Sequence, residues 1–327
     1  MATEFVIMLP DGAKSMDAAV QAADLVESIE RDLSVYRPDS EVSKINRLAA
    51  QQPVRVSKPT FSLLERAVGL SEQTEGAFDI TTGPLIDAWG FTKRSGRKPT
   101  AAEVKQALTR VGYQRLVLDR ETSSVRFATA GMAINLGAIG KGDALDRMAL
   151  ELQSHGVTDF LIHGGNSSVV AVGDQDPGSS KGWAVGLAHP TKPQRRLAGL
   201  WLKNAAIATS GSGKQFFHHR GRRYGHVIDP RTGYPAGDLM SLTLAMGSAT
   251  DVDAVATALF VAGSQQVRQR YQEDGFSLAI MTRALGQQDS VEVETLGDFD
   301  WIETPQADET GTKDAKSSEN SIFQLPS

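Results

Sequence analysis

Asp253 and Thr257 stand four residues apart in a segment, residues 251–260, made otherwise of alanine, valine, leucine and phenylalanine after its opening Asp251. On a helix that spacing puts a carboxylate and a hydroxyl on one face. Two oxygens on an apolar face suit Mg2+, a hard ion that takes oxygen ligands. The same residues also read as a cap at Asp251 and a Thr257 hydroxyl bonded back to its own helix. Gly137-Ala-Ile-Gly-Lys-Gly142 opens a second helical stretch. Its glycines bare backbone N–H groups at a helix start, and Lys141 adds a point charge suited to a pyrophosphate. The spacing is neither a P-loop nor the GxGxxG of a dinucleotide fold, so a phosphate cradle and a structural turn stay equally open. Thr209-Ser-Gly-Ser-Gly213 reads either as a second anion nest or as a flexible turn. In His226-Val-Ile-Asp229, alternation sets His226 and Ile228 on one face with Asp229 at the strand end. The imidazole is then a general base toward a hydroxyl or a half-buried polar residue. Tyr36, Trp89 and Phe91 lie in glycine- or proline-marked segments, where an aromatic ring stacks on a flat ligand or fills core.

The elements that must position these groups follow from the hydrophobic pattern. Phe5–Leu9 reads as a first strand, and Ala18, Ala22, Leu25, Val26, Ile29 and Leu33 recur at helical period. Further helices are expected over 57–74, 101–108, 143–154, 251–260 and 264–272. A hairpin is expected at 116–127, and strands at 160–163, 168–172, 183–187, 200–202, 206–209, 241–246, 278–281 and 291–295. Residues 76–91 read as ordered but non-repetitive. Helices falling between groups of strands, without strict alternation, predict an α+β fold. No linker divides the chain, so residues 1–302 form one domain or two closely packed subdomains, and the polar stretch 303–327 reads as a disordered tail.

Composition removes several classes of chemistry. With 327 residues the chain can bury a large core, and its net charge of −5 leaves no cationic excess for nucleic acid. Zero cysteines rule out disulfides, thiolate catalysis, Cys-ligated zinc and a cysteine-linked lipid. The six histidines form no HxxxH or HExxH pair, which argues against a dedicated zinc site. No apolar run is long enough to span a bilayer, and the opening residues are too short and acidic for a signal peptide. The expectation is cytoplasmic as the chain stands, or periplasmic and membrane-tethered if a leader precedes it.

Taken in order, these segments resemble the ApbE family of FAD:protein FMN transferases. The resemblance rests on Leu33-Ser-Val-Tyr-Arg-Pro-Asp-Ser-Glu-Val-Ser43, Gly76-Ala-Phe-Asp-Ile-Thr-Thr-Gly-Pro-Leu85 and Asn135-Leu-Gly-Ala-Ile-Gly-Lys-Gly142. It continues through His163-Gly-Gly165, Ala208-Thr-Ser-Gly211, Gly225-His-Val-Ile-Asp-Pro-Arg-Thr-Gly-Tyr-Pro235 and Asp253-Ala-Val-Ala-Thr-Ala-Leu-Phe260. The resemblance implies an ApbE-like (T-fold-like) arrangement of mixed sheets and packed helices, with an FAD cleft between two halves. It implies Mg2+ held by Asp253, Thr257 and the backbone carbonyl of Ala138. Tyr36, Ser40, Glu41, Asp79, Lys141, Gly164, Gly165, Thr209, Ser210 and Gly211 would line the FAD cleft, and His226 with Asp229 would be catalytic. The implied reaction moves FMN from FAD to a threonine hydroxyl of an acceptor protein and releases AMP; the acceptors in the family usually carry a motif like Asp-Gly-x-Ser/Thr-Gly-Ala-Thr, which is not found in this chain. An FAD pyrophosphatase and a noncatalytic flavin-binding protein are the alternatives. Asn166, where the family often has Glu, and Ser212-Gly213, where it commonly has Asp-Tyr, depart from the pattern.

Overall fold

The computed structural model describes residues 3–12, 15–93, 95–213, 216–274, 277–285 and 290–305. The N-terminal part runs β1 (Phe5–Met8), α1 (Met16–Leu33), α2 (Glu41–Leu48), β2 (Val54–Arg55), α3 (Lys58–Gln73), α4 (Gly83–Ala88) and α5 (Ala101–Leu108). It continues with β3 (Leu116–Asp119), β4 (Ser124–Phe127), α6 (Gly140–Ser154), β5 (Phe160–Gly164) and β6 (Ser168–Val172). Then come β7 (Trp183–Ala188), β8 (Arg196–Leu202), β9 (Ala205–Gly211), β10 (Phe216–His219), β11 (Arg222–Gly225) and β12 (Ser241–Met246). The chain ends with α7 (Ala249–Ala262), α8 (Ser264–Asp274), β13 (Leu278–Ala284), β14 (Val291–Leu296) and β15 (Trp301–Glu303).

A seven-stranded sheet in the order β1-β5-β6-β9-β12-β13-β14 is the frame, and each pairing within it is antiparallel. Alternation along its strands feeds two cores. Phe160, Ile162, Ala206, Ala208, Leu242 and Leu244 face one side and pack with Ala22 of α1, Leu145 and Met148 of α6, and Val252 and Phe260 of α7. Leu161, Ala171, Ile207 and Ile280 face the other side and pack against Trp183, Leu200 and Leu202 of the three-stranded sheet β15-β8-β7. A third core joins α2, α3, the small β2-β4-β3 sheet and residues 132–139 to Ala254 and Ala258 of α7. The α+β expectation holds: helices cover one face of the large sheet and a smaller sheet covers the other.

Residues 83–88 form a helix where non-repetitive structure was expected. Pro84 sits in its first turn, where a missing N–H costs nothing, and six residues are too few to show a helical period. The α6 helix begins at Gly140, three residues before the expected start, because glycines conceal helical propensity. In α7 the N-cap is Ser248, whose Oγ accepts from the Asp251 N–H, rather than Asp251. Strand β10 was not foreseen, since Phe-Phe-His-His shows no alternation; it pairs with β11 as a hairpin. Strand β15 carries the ordered sheet to Glu303, and residues 306–327 of the expected tail lie outside the described residues. Among the described residues no helix is long and apolar enough to cross a membrane.

Candidate active site

The site begins where α6 meets α7. These helices approach so closely that a Cβ on residue 142 would lie 2.1 Å from the Ala249 carbonyl oxygen; only glycine fits. One turn further along α6, Asp146 reaches across to the start of α7. Its carboxylate accepts from the Ala249 N–H at 2.9 Å, the Thr250 N–H at 2.9 Å, the Ser248 hydroxyl at 2.8 Å and the Thr250 hydroxyl at 2.6 Å. An acidic group thus caps the positive end of α7 from a neighbouring helix. That fixes the rotation of α7 about its axis, and hence where Asp253 points.

Asp253 is only 4 % exposed. Its carboxylate receives Lys141 Nζ at 3.1 and 3.0 Å, the Gly142 N–H at 3.2 Å and the Ser168 hydroxyl at 3.3 Å. One turn on, Thr257 donates its Oγ1 proton to the Asp253 carbonyl at 3.0 Å, the back-bond foreseen from the sequence, and it also meets Ser210 Oγ at 3.0 Å. Lys141, Asp253, Thr257 and Ser210 therefore converge. Ser168 joins them without having been singled out. Its signal was strand alternation, which puts it on the same face as Val170, toward the helices.

Other residues fall elsewhere. Thr209 adjoins Ser210 on β9 but faces away from Asp253, with its Oγ1 2.8 Å from Thr243 Oγ1. Gly211 ends that strand. Gly164 closes β5, and Gly165 turns the β5–β6 hairpin at φ 61°, its N–H donating to the Glu4 carbonyl at 2.7 Å. Asn166 is exposed in the same turn. Ala138 lies half-buried in the turn that leads into α6. Ser40 is the buried N-cap of α2 and Glu41 holds the start of α3, accepting from the Ser57 N–H at 2.7 Å and its hydroxyl at 2.9 Å. Asp79 is buried and accepts from the Thr81 N–H and hydroxyl, both at 2.7 Å, and the Tyr113 N–H at 2.8 Å. Burial pushes its pKa up and these bonds oppose the rise. The side chains of Ser40, Glu41 and Asp79 thus shape the wall of the N-terminal part. Tyr36 is 65 % exposed, whereas Trp89 is fully buried.

Trp89 fills a fourth core with Leu85, Val104, Tyr224 and Ile228, and its Nε1 donates to the Gly233 carbonyl at 2.9 Å. This bond fixes the loop 226–236, which closes through a bridge between Ile228 and Pro235. His226 opens the loop directly after β11, half-buried, with the Phe91 ring edge-on at a centroid distance of 6.4 Å. Its neighbour Val227 packs against both cores that flank α7. The Asp229 carboxylate forms a two-point pair with Arg231, at 2.9 and 3.1 Å. That fork raises the Arg231 pKa.

The sequence profile of the ApbE family matches residues 1–280. The chain belongs to the ApbE family. Two curated relatives, both FAD:protein FMN transferases, are 34 % identical to it. That of Klebsiella pneumoniae (strain 342) aligns over 77 % of this chain and 79 % of its own length, and that of Treponema pallidum (strain Nichols) over 74 % and 70 %. Among solved structures, the ApbE protein of Thermotoga maritima superposes with a TM-score of 0.77 at 28 % identity, covering 89 % of this chain and 96 % of that one. The flavin transferase ApbE from Vibrio cholerae gives 0.74 at 28 % identity, covering 90 % and 94 %. The ApbE fold therefore extends over nearly the whole described chain.

Proposed function

We propose that this ApbE-family chain is a Mg2+-dependent transferase that moves FMN from FAD to a threonine hydroxyl of an acceptor protein and releases AMP. The observation that carries the reading is the buried Asp253 carboxylate, ringed by Lys141, the Gly142 N–H and the Ser168 hydroxyl, with Thr257 and Ser210 one turn away. An ionised carboxylate on an otherwise apolar helix costs on the order of several kcal/mol to bury, and here the Lys141 ammonium and the Gly142 N–H at the start of α6 offset that cost.

The donor set suits magnesium. Asp253, Thr257, Ser210 and Ser168 offer oxygen only, and Mg2+ characteristically uses one or two carboxylates and completes its shell with water and substrate phosphate. Among the described residues no group of three His, Asp or Glu is placed to hold a metal unaided. Asp253 and Thr257, with the Ala138 carbonyl, would hold the ion, which would neutralise the pyrophosphate and the charge that builds on the departing AMP.

The chain's own groups do the rest. The Lys141 ammonium, now on Asp253, would exchange that anionic partner for an incoming pyrophosphate. His226 takes the proton of the acceptor hydroxyl as its oxygen attacks the FMN-side phosphorus. The new O–P bond forms as the bond from that phosphorus to the bridging oxygen breaks, and AMP leaves with that oxygen. Arg231 holds Asp229 and so braces the loop that carries His226.

The test incubates the protein with FAD, Mg2+ and an acceptor bearing an Asp-Gly-x-Ser/Thr-Gly-Ala-Thr segment, following AMP and the acceptor mass. A mass gain of one FMN, lost in Asp253→Ala and His226→Ala, is the expected result. AMP without acceptor labelling would replace the transferase reading with FAD hydrolysis. Bound FAD with neither product would make the chain a flavin-binding protein.

A further inference from the structure

Between residues 177 and 228 the sequence contains no Asp or Glu, yet it holds nine Lys and Arg, in a chain whose net charge is −5. Residues 88–102 are also free of acids and carry Lys93, Arg94, Arg97 and Lys98. The fold brings these stretches together. A Cβ on residue 96 would lie 2.7 Å from the Phe217 ring, so the 95–97 loop rests directly on the β10–β11 hairpin. Lys98 Nζ and the Arg222 guanidinium both sit over the Tyr224 ring, at 5.7 and 5.4 Å. On the other flank, a Cβ on residue 213 would lie 2.3 Å from the Pro190 carbonyl oxygen, which seats the β7–β8 loop, with Lys192 and Arg195, against the chain entering the hairpin. That close approach also accounts for glycine at 213.

Some of this charge is already matched, since Arg97 pairs with Glu103 and Arg196 with Glu303. Among the described residues Lys93, Lys98, Arg220 and Arg222 make no ion pair, and all four are exposed. Two aromatics are exposed nearby in the chain: Phe216, 42 % exposed, lies on the opposite face of the hairpin with the Arg223 guanidinium 3.9 Å over its ring, and Tyr234, 43 % exposed, stands edge-on to Trp89 at 6.0 Å. Arginine and aromatic side chains are the groups that anchor protein partners, and a one-signed surface steers the approach of the opposite sign. The surface is continuous with the candidate site, because β11 ends at Gly225 and His226 is the next residue.

We propose that the basic face built from residues 95–98, the β7–β8 loop and the β10–β11 hairpin is the docking surface for an acidic segment of the acceptor protein, delivering its hydroxyl to His226. The proposal rests on the transferase reading above. It assigns Lys98 and Arg222 to partner recognition and leaves FAD to the Lys141–Asp253 region.

The experiment uses the full chain and its Lys98→Glu/Arg222→Glu variant, with thermal melting to confirm that both are folded. Binding of a fluorescein-labelled acceptor domain bearing the Asp-Gly-x-Ser/Thr-Gly-Ala-Thr segment is measured by anisotropy without FAD, at low and high salt. FMN transfer is then measured against acceptor concentration. The expected result is acceptor binding weakened by about tenfold or more in the variant, steep salt dependence in the parent only, and an acceptor KM raised in proportion with KM for FAD unchanged. Acceptor binding within twofold of the parent would overturn the docking surface, as would a rise in KM for FAD. So would tighter binding to phosphatidylserine vesicles or duplex DNA than to the acceptor. Charge-dependent binding without any FMN transfer would retain the surface and sink the transferase reading.

Discussion

Replacing Asp146 with alanine removes the one carboxylate that closes the start of α7. Four donors on Ser248, Ala249 and Thr250 lose their acceptor at once. Each hydrogen bond to a charged acceptor is worth about 1.5–3 kcal/mol when broken, but the two hydroxyls can turn to water and Ser248 keeps its bond to the Asp251 N–H. Two stranded backbone N–H groups at a partly buried helix end, with the lost dipole interaction, give a net destabilisation of about 2–4 kcal/mol. For a chain of this size that lowers Tm by roughly 3–6 °C. Asp146→Asn keeps the shape and one acceptor oxygen, so it should fall about midway between the parent and alanine. Urea unfolding followed by tryptophan fluorescence at pH 7 measures all three proteins. Activity adds a second readout, because α7 carries Asp253 just over one turn past the cap. Even below the unfolding transition, FMN transfer by Asp146→Ala should drop by about tenfold or more through misplaced geometry. A loss under about 0.5 kcal/mol, or asparagine no better than alanine, would refute the assignment of Asp146 as the anchor of α7.

Gly142→Ala drives a methyl into the Ala249 backbone and should cost at least about 2–3 kcal/mol in urea unfolding; a neutral effect would mean that the two helices slide apart freely. Trp89→Phe keeps the ring in its core but loses the bond to the Gly233 carbonyl, costing about 1–2 kcal/mol, and acceptor labelling should slow with the loosening of the His226 loop; an unchanged rate would detach that loop from Trp89. Asp143 supplies a pH test. Burial lifts its pKa to about 6, above its unfolded value, so its stabilising contribution is full at low pH and disappears as pH rises through about 6. Asp143→Asn should therefore flatten the stability curve above pH 4 and be more stable than the parent at pH 7 by up to about 2–3 kcal/mol. Parallel curves for the two proteins between pH 4 and 7 would exclude this role for Asp143.

The α7 pair was visible in the sequence because four-residue spacing survives into three dimensions: Asp253 and Thr257 do share a face, linked by a hydrogen bond. Lys141 was visible as a charge beside glycines, but its partner 112 positions away was not, since helix crossing is a property of packing. Asp146 escaped notice for the same reason. On α6 it reads as a solvated acid, and only the approach of α7 turns it into a cap. Glu41 and Asp79 illustrate the converse. Their motif positions say nothing of their partners, and in the folded chain their carboxylates tie down Ser57, Thr81 and Tyr113. Strand alternation in β9 turns Ser210 toward the helices and Thr209 to the opposite face, which the reading of 209–213 as a nest or a turn did not separate.

The pairing of Lys141 with Asp253 also bears on how the protein folds. Arg66 and Asp251, which bond at the same end of α7, are 185 residues apart in the chain, and β1 finds its partner only when β5 arrives. Contacts of such long range form late and slowly, because the entropy of closing the intervening chain is lost before any contact offsets it. The centre is thus among the last parts of the molecule to take shape. If this centre is the FAD site proposed above, a nascent or half-folded chain offers no place for flavin chemistry until synthesis has passed α7.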